Sequence, residues 1–151
     1  MKFSTRATYG LKALLFLADQ YGQRTVPVSR IAQDGGISAQ YLEQILHVLK
    51  KKRWIRSQRG PQGGYRLAKN PSEVRVGPVL RDLEGAQFGF TQEADAKAPS
   101  NTAGLASQLF WKRLAEGFSQ VLDSTSLKDL IEHARQSEKK RKTASRLTFN
   151  I

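Results

Sequence analysis

The stretch from Val28 to Leu67, VSRIAQDGGISAQYLEQILHVLKKKRWIRSQRGPQGGYRL, leaves the chain little choice of fold. Ser38 stands where a helix N-cap belongs, since its hydroxyl can accept from a backbone N–H of the first turn. Leu42, Ile45, Leu46 and Leu49 then follow at i, i+3, i+4 and i+7, which makes one face of that helix core. The other face carries Gln40, Glu43, Gln44, His47, Lys50 and Lys51, a polar set suited to a DNA major groove. Upstream, Val28 or Ser29 opens a short supporting helix through Ile31 and Ala32. Gly35 and Gly36 give the unhindered backbone that a turn between two crossing helices needs.

Downstream, Trp54 to Ser57 and Tyr65 to Leu67 are short strand-like runs. The residues between them, Gln58-Arg59-Gly60-Pro61-Gln62-Gly63-Gly64, are too rich in glycine and proline to be helical. Two helices, a tight turn and a basic hairpin in succession spell a winged helix-turn-helix. Arg59 sits at the hairpin tip beside glycines that let backbone approach a phosphate, and arginine is favoured in a narrow minor groove. An exposed surface hairpin with an incidental arginine would be written the same way. The loop is not a nucleotide-binding P-loop, because no Gly-Lys-Ser/Thr follows its glycines.

Several further motifs join this core. Phe3-Ser4-Thr5-Arg6 leads into Tyr9-Gly10-Leu11; Ile37-Ser38 precedes Tyr41-Leu42-Glu43-Gln44; Arg59-Gly60-Pro61 precedes Gly63-Gly64-Tyr65; Val76-Gly77 precedes Leu83-Glu84-Gly85. Together they resemble the family of bacterial winged-helix transcriptional regulators that includes IscR, NsrR and CymR. The resemblance is specific over residues 1 to about 85. Trp111 and the run from Ser126 through Leu130 extend a weaker match to about residue 132. It implies a mainly α fold with a small β-hairpin wing, a DNA-binding domain over 1–85, a flexible loop at the sensor position over 86–104 and a dimerisation helix and short helix over 105–136; beyond its reach the residues themselves read as a basic tail over 137–151.

Charge agrees with that division. The chain has 25 Lys and Arg against 13 Asp and Glu, net +12, which points to a polyanionic partner. Residues 1–85 hold 15 basic and 6 acidic side chains, residues 86–136 hold 5 and 6, and residues 137–151 hold 5 and 1. The excess thus lies in the DNA-binding half and the tail. A ribosomal or membrane-surface protein can be equally basic, so charge alone does not choose the partner. Its 151 residues suit a single core with an appendage. There is no cysteine, hence no disulfide, thiolate nucleophile or thiolate-held metal. The apolar run Ala13 to Ala18 is too short to cross a bilayer or to act as a signal peptide, and the expected location is a bacterial cytoplasm.

Taken in order, Ser4 or Thr5 caps a first helix to about Gln20. Tyr9, Ala13, Leu14, Phe16, Leu17 and Tyr21 form its buried side, and Gly22 ends it. Val26-Pro27-Val28 reads as a short edge strand, and Val74 with Val76 as another. Gly77-Pro78 opens a helix to about Leu83. Gly85 to Gly104 reads as a loop. Leu105, Leu109, Phe110, Leu114, Phe118, Val121 and Leu122 then restore helical periodicity, with Trp111 widening the stripe. Ser126 and Asp129 form a capping box for a final helix ending near Arg135. The run Ser137 to Lys142 reads as a solvated linker, and Arg146 to Ile151 alternates so that Leu147, Phe149 and Ile151 would share one side of a docking strand.

The DNA-binding set expected from these placements and from the resemblance is Arg6, Ser38, Gln40, Tyr41, Glu43, Gln44, Lys50, Lys51, Arg59, Gly60, Gly64 and Tyr65. Gln44 is the sharpest candidate for base readout, since an amide pairs bidentately with adenine. Tyr41 reads either as a hydroxyl donor at the helix start or as a packing aromatic. Arg6 reads either as a phosphate contact, which the resemblance implies, or as a solvated arginine. Leu109, Leu114, Phe118 and Val121 are expected in a homodimer interface, as the resemblance implies; packing within the monomer is the alternative. Iron-sulfur members of the family place three cysteines in the loop that runs here from Phe88 to Ser107. None is present, and Glu93, Asp95, His47 and His133 are too few or too scattered to replace them, so neither metal nor cofactor is expected. Regulation is expected to come from a partner protein or small ligand instead, or to be absent. No Ser-His-Asp or paired-carboxylate motif supports an enzyme. The competing class is a winged-helix module that binds protein or RNA under a partner's control.

Overall fold

The computed structural model describes residues 3–85, Phe88 and residues 101–148, with side chains as far as residue 142. The helices α1 (Thr5–Asp19), α2 (Val28–Gly35) and α3 (Ala39–Lys51) come first. The strands β1 (Ile55–Gln58) and β2 (Gly64–Leu67) follow, then α4 (Val76–Glu84), α5 (Thr102–Ser124) and α6 (Leu127–Thr148).

The core lies where α1 crosses α3 and α4. Leu42, Ile45, Leu46 and Leu49 of α3 are all buried, each worth about 1.5–3 kcal/mol of transfer free energy. They meet Ala7, Ala13, Leu14 and Leu17 of α1 and Val79, Leu80 and Leu83 of α4. Gly10 lets α4 come this close: a Cβ there would stand 2.6 Å from a methyl of Leu83. Ser4 caps α1 as expected, its side chain accepting from the Ala7 N–H at 3.1 Å. The helix stops at Asp19, so Tyr21 lies beyond it and is exposed, contrary to the expected buried side.

The segment around Pro27 is not a strand. Only Val26 pairs, with Tyr65 of β2, because proline lacks the N–H to continue a ladder and caps α2 instead. Gly36 ends α2 at φ +63°, where a side chain would be strained. Helix α3 closes with a Schellman pair, Trp54 N–H to the Leu49 carbonyl and Arg53 N–H to that of Lys50. Trp54 then donates to Asp82 of α4 at 2.8 Å, and Lys52 pairs with the same carboxylate.

Val74 and Val76 form no strand of their own. Arg75 makes a single bridge to Ser126, and α4 begins at Val76, one residue before the expected Gly77-Pro78 start. Pro78 is then the third helical residue, still within the turn whose N–H groups lack helical acceptors. The Ser126–Asp129 capping box is present, with Asp129 N–H donating to Ser126 Oγ at 3.1 Å and Ser126 N–H to Asp129 Oδ2 at 2.8 Å. The helix it starts does not end near Arg135 but runs to Thr148. Arg146 to Thr148 are helical, not a strand, and Phe149 to Ile151 lie outside the described residues. Lys, Arg, Glu and Ala are strong helix formers, and their summed preference outweighs a short alternating pattern. Of the loop expected over 86–104, residues 86–87 and 89–100 lie outside the described residues. Its end is helical: Asn101 caps α5, its side chain accepting from Gly104 N–H at 2.8 Å.

Helix α5 has no buried residue and reaches the body through α4. Its clamp is Arg81, which donates to both carboxylate oxygens of Asp123 at 2.7 and 2.8 Å. Those hydrogen bonds hold the Asp123 carboxyl below its ordinary value. A depressed folded-state pKa means that the stabilisation is present above the unfolded value of about 3.9 and is lost as pH falls through the folded one. Because the pair is exposed, it is worth under about 1 kcal/mol. NMR titration of Asp123 is expected to show the depression in the wild type and none in Arg81→Gln; an equal titration in both would contradict the clamp.

Candidate nucleic-acid interface

Helix α3 presents its polar side as an open face. Ser38, Gln40, Glu43, Gln44, His47, Lys50 and Lys51 are all exposed, while the leucines behind them anchor the helix. Ser38 Oγ accepts from Tyr41 N–H at 3.3 Å, which leaves its own hydroxyl hydrogen free to donate outward. Gln40, Glu43, Gln44 and His47 recur at helical spacing along the stripe opposite the core. Lys50 and Lys51 occupy the last turn, where they also complement the helix dipole. Tyr41 packs as an aromatic. Its ring is half-buried, edge-on to Tyr9 with centroids 6.4 Å apart, at the exposed amino end of the helix. Arg6 is exposed one turn before Tyr9 on α1, and so flanks that same end.

The wing is antiparallel, with Ile55 paired to Leu67 and both buried. Arg59, Gly60 and Pro61 are exposed at its tip. Gly64 and Tyr65 begin β2 at the loop end of the hairpin, opposite Gln58 and Ser57, and both are half-buried. Tyr65 and Val26 exchange two backbone hydrogen bonds of 2.8 Å, and a Cβ on Gly64 would meet the Val26 carbonyl. These contacts dock the wing on the link between α1 and α2. Thr25 helps, donating to the Gln62 carbonyl at 2.7 Å.

Of the four residues expected in a subunit interface, Leu109, Leu114 and Val121 are 57, 40 and 63% exposed. Phe118 differs. It is half-buried and engaged within the chain, its ring 6.4 Å from those of Phe3 and Phe88. Arg56 and Arg66 were not singled out by sequence reasoning. The alternation that buries Ile55 and Leu67 necessarily turns these two outward, opposite one another.

Comparison with known proteins agrees with the fold. Residues 3–133 match the Rrf2 family, described as "Iron-dependent Transcriptional regulator". CymR of Bacillus subtilis, an HTH-type transcriptional regulator, is 33% identical over 133 residues, covering 88% of this chain and 91% of CymR. Its structure, that of the global cysteine regulator of that organism, superposes with a TM-score of 0.78 at 32% identity, covering 88% of this chain and 98% of that one. The T. potens IscR structure gives 0.73 at 34% identity, covering 91% and 90%.

The iron in the family's description finds no matching donors here. No cysteine exists to supply a thiolate, and among the described residues no three His, Asp or Glu side chains converge. His47 lies on α3 and His133 on α6. Among the described residues, no helix is long and apolar enough to cross a membrane. A winged helix-turn-helix with an open α3 face and this likeness over most of its length identifies the chain as a member of the Rrf2 family of DNA-binding transcriptional regulators, one without cluster-ligating cysteines.

Proposed function

We propose that the chain is a sequence-specific repressor that binds a palindromic operator as a homodimer and carries no iron-sulfur cluster. The open polar face of α3, together with the exposed Arg59 at the tip of the docked wing, is the observation that carries this reading. In it, Gln44 and Gln40 read base edges in the major groove, and Glu43 accepts from cytosine or repels a misplaced phosphate. Ser38, Tyr41 and Arg6 hold the backbone, Lys50 and Lys51 add nonspecific attraction, and Arg59 with Gly60 enters the minor groove.

The dimer rests on α5. Leu105, Leu109, Phe110, Trp111, Leu114 and Val121 expose a long apolar stripe, larger than scattered surface leucines account for. A second copy laid along it buries that stripe and places two recognition helices on one duplex, doubling the sequence read. Repression follows when such a dimer occupies promoter DNA. Control by a small ligand or partner protein would act through the sensor-position segment between α4 and α5, by its different affinity for two arrangements of the recognition helices.

Gln44→Ala is expected to cost about 1–3 kcal/mol of operator affinity and to relax specificity at one base pair. Arg59→Ala is expected to weaken binding with less change in specificity. Titration of both variants at graded salt, with scrambled duplex and RNA as competitors, tests the site. Unchanged operator binding by both would remove it, and preference for RNA would favour the protein- or RNA-binding alternative.

A further inference from the structure

The outward face of the wing borders an open cavity of about 280 Å³, closed on its other side by the end of α1 and the link to α2. Arg56 and Arg66 line it from the hairpin and Arg24 from the link, above an apolar floor that includes Leu17, Val26 and Leu67. The strand register sets Arg56 directly opposite Arg66, a like-charge pair that costs stability unless an anion lies between. No carboxylate lines the cavity, and none pairs with these three arginines among the described residues. Asp19, the acidic residue at that end of α1, is already held by Arg135 at 2.6 Å.

We propose that this cavity is a binding site for a small multivalent oxyanion, with phosphate as its simplest occupant. Guanidinium forks bind the planar or tetrahedral oxygens of such a group bidentately, and the apolar floor strengthens the attraction. The site is separate from the base-reading face. Tyr41 marks that face against Tyr9, whereas the cavity meets α1 from Leu17 onward, about 12 Å further along the helix at 1.5 Å per residue.

Its occupant acts on the wing. Arg24 Nη1 donates to Gln62 Oε1 at 3.4 Å, and the neighbouring Thr25 and Val26 hold Gln62 and Tyr65, so the arm that grips the anion also clasps the loop bearing Arg59. A bound anion neutralises charge at the wing root and draws Arg24 away from Gln62. Operator binding weakens as a result.

The test titrates inorganic phosphate against chloride at matched ionic strength on the full chain, without DNA, following thermal unfolding and heat of binding. Saturable stabilisation by phosphate is expected. Arg56→Gln, Arg66→Gln and Arg24→Gln are each expected to weaken it about tenfold. All three side chains are exposed, so the variants are expected to fold, and their circular dichroism checks it. A nonsaturating response, or equal phosphate affinity in wild type and variants, overturns the site. So does a third outcome: no phosphate effect, but operator binding whose salt slope falls by about one for each arginine removed, which makes them contacts to the DNA backbone. Because the phosphate titration contains no DNA, its result stands whether or not the operator reading survives.

Discussion

Leu114→Lys is expected to turn the protein into a monomer with an intact fold. Leu114 is 40% exposed midway along α5 and contributes nothing to the α1–α3–α4 core, so the substitution leaves the monomer's own fold intact, which circular dichroism checks. In a subunit interface the same ammonium would be stripped of water against an apolar partner. Self-association is then weakened by about a hundredfold or more, on the order of 3 kcal/mol. Loss of the second half-site follows, and operator affinity falls with it. Analytical ultracentrifugation of both proteins decides the matter. A monomeric wild type, or a variant that dimerises equally well, would rule out α5 as the interface.

Gly64→Ala is expected to lower stability by about 2–3 kcal/mol, as overpacking against a rigid neighbour does. The added Cβ meets the Val26 carbonyl and comes within 2.9 Å of Pro27 N. These are backbone atoms and cannot rotate aside as a side chain would. Relief requires the wing to leave the α1–α2 link, which breaks both Val26–Tyr65 hydrogen bonds and frees the hairpin to tilt. Operator affinity therefore drops together with the denaturation midpoint. Arg59→Ala makes the contrast, since that exposed side chain can lose DNA affinity with no change in midpoint. A wild-type midpoint for Gly64→Ala would mean that the wing is not docked where Val26 meets Tyr65.

Much of the winged helix-turn-helix was legible because its signals are local. Ser38 followed by Leu42, Ile45, Leu46 and Leu49 defines the start and inner face of α3 by hydrogen bonding and periodicity within one helix, and the outer face follows by subtraction. The hairpin is equally local: no other structure suits GPQGG between two strand-like runs. Where two local signals competed, the weaker reading failed. At Val26-Pro27-Val28 the missing N–H of proline ended the pairing after one residue. At Arg146 to Thr148 the helix preference of the preceding Lys- and Arg-rich turns carried α6 through an alternating pattern that has no neighbouring strand to pair with among the described residues.

By itself, then, the sequence determined which residues form α3, which of its sides is core, where the wing turns, and that no thiolate could hold a metal. Only the tertiary structure decided who meets whom. An apolar stripe at helical spacing says that α5 wants cover, but not that Phe118 turns to Phe3 and Phe88 while Leu109, Leu114 and Val121 stay open. Alternation along β1 and β2 says that Arg56 and Arg66 face outward, but not that Arg24 faces them across a cavity. Nothing in the sequence says that Gly10 meets Leu83 or that Gly64 meets the Val26 carbonyl. Periodicity and capping act over a few residues, whereas these contacts join segments tens of residues apart, and only the packed chain brings them together.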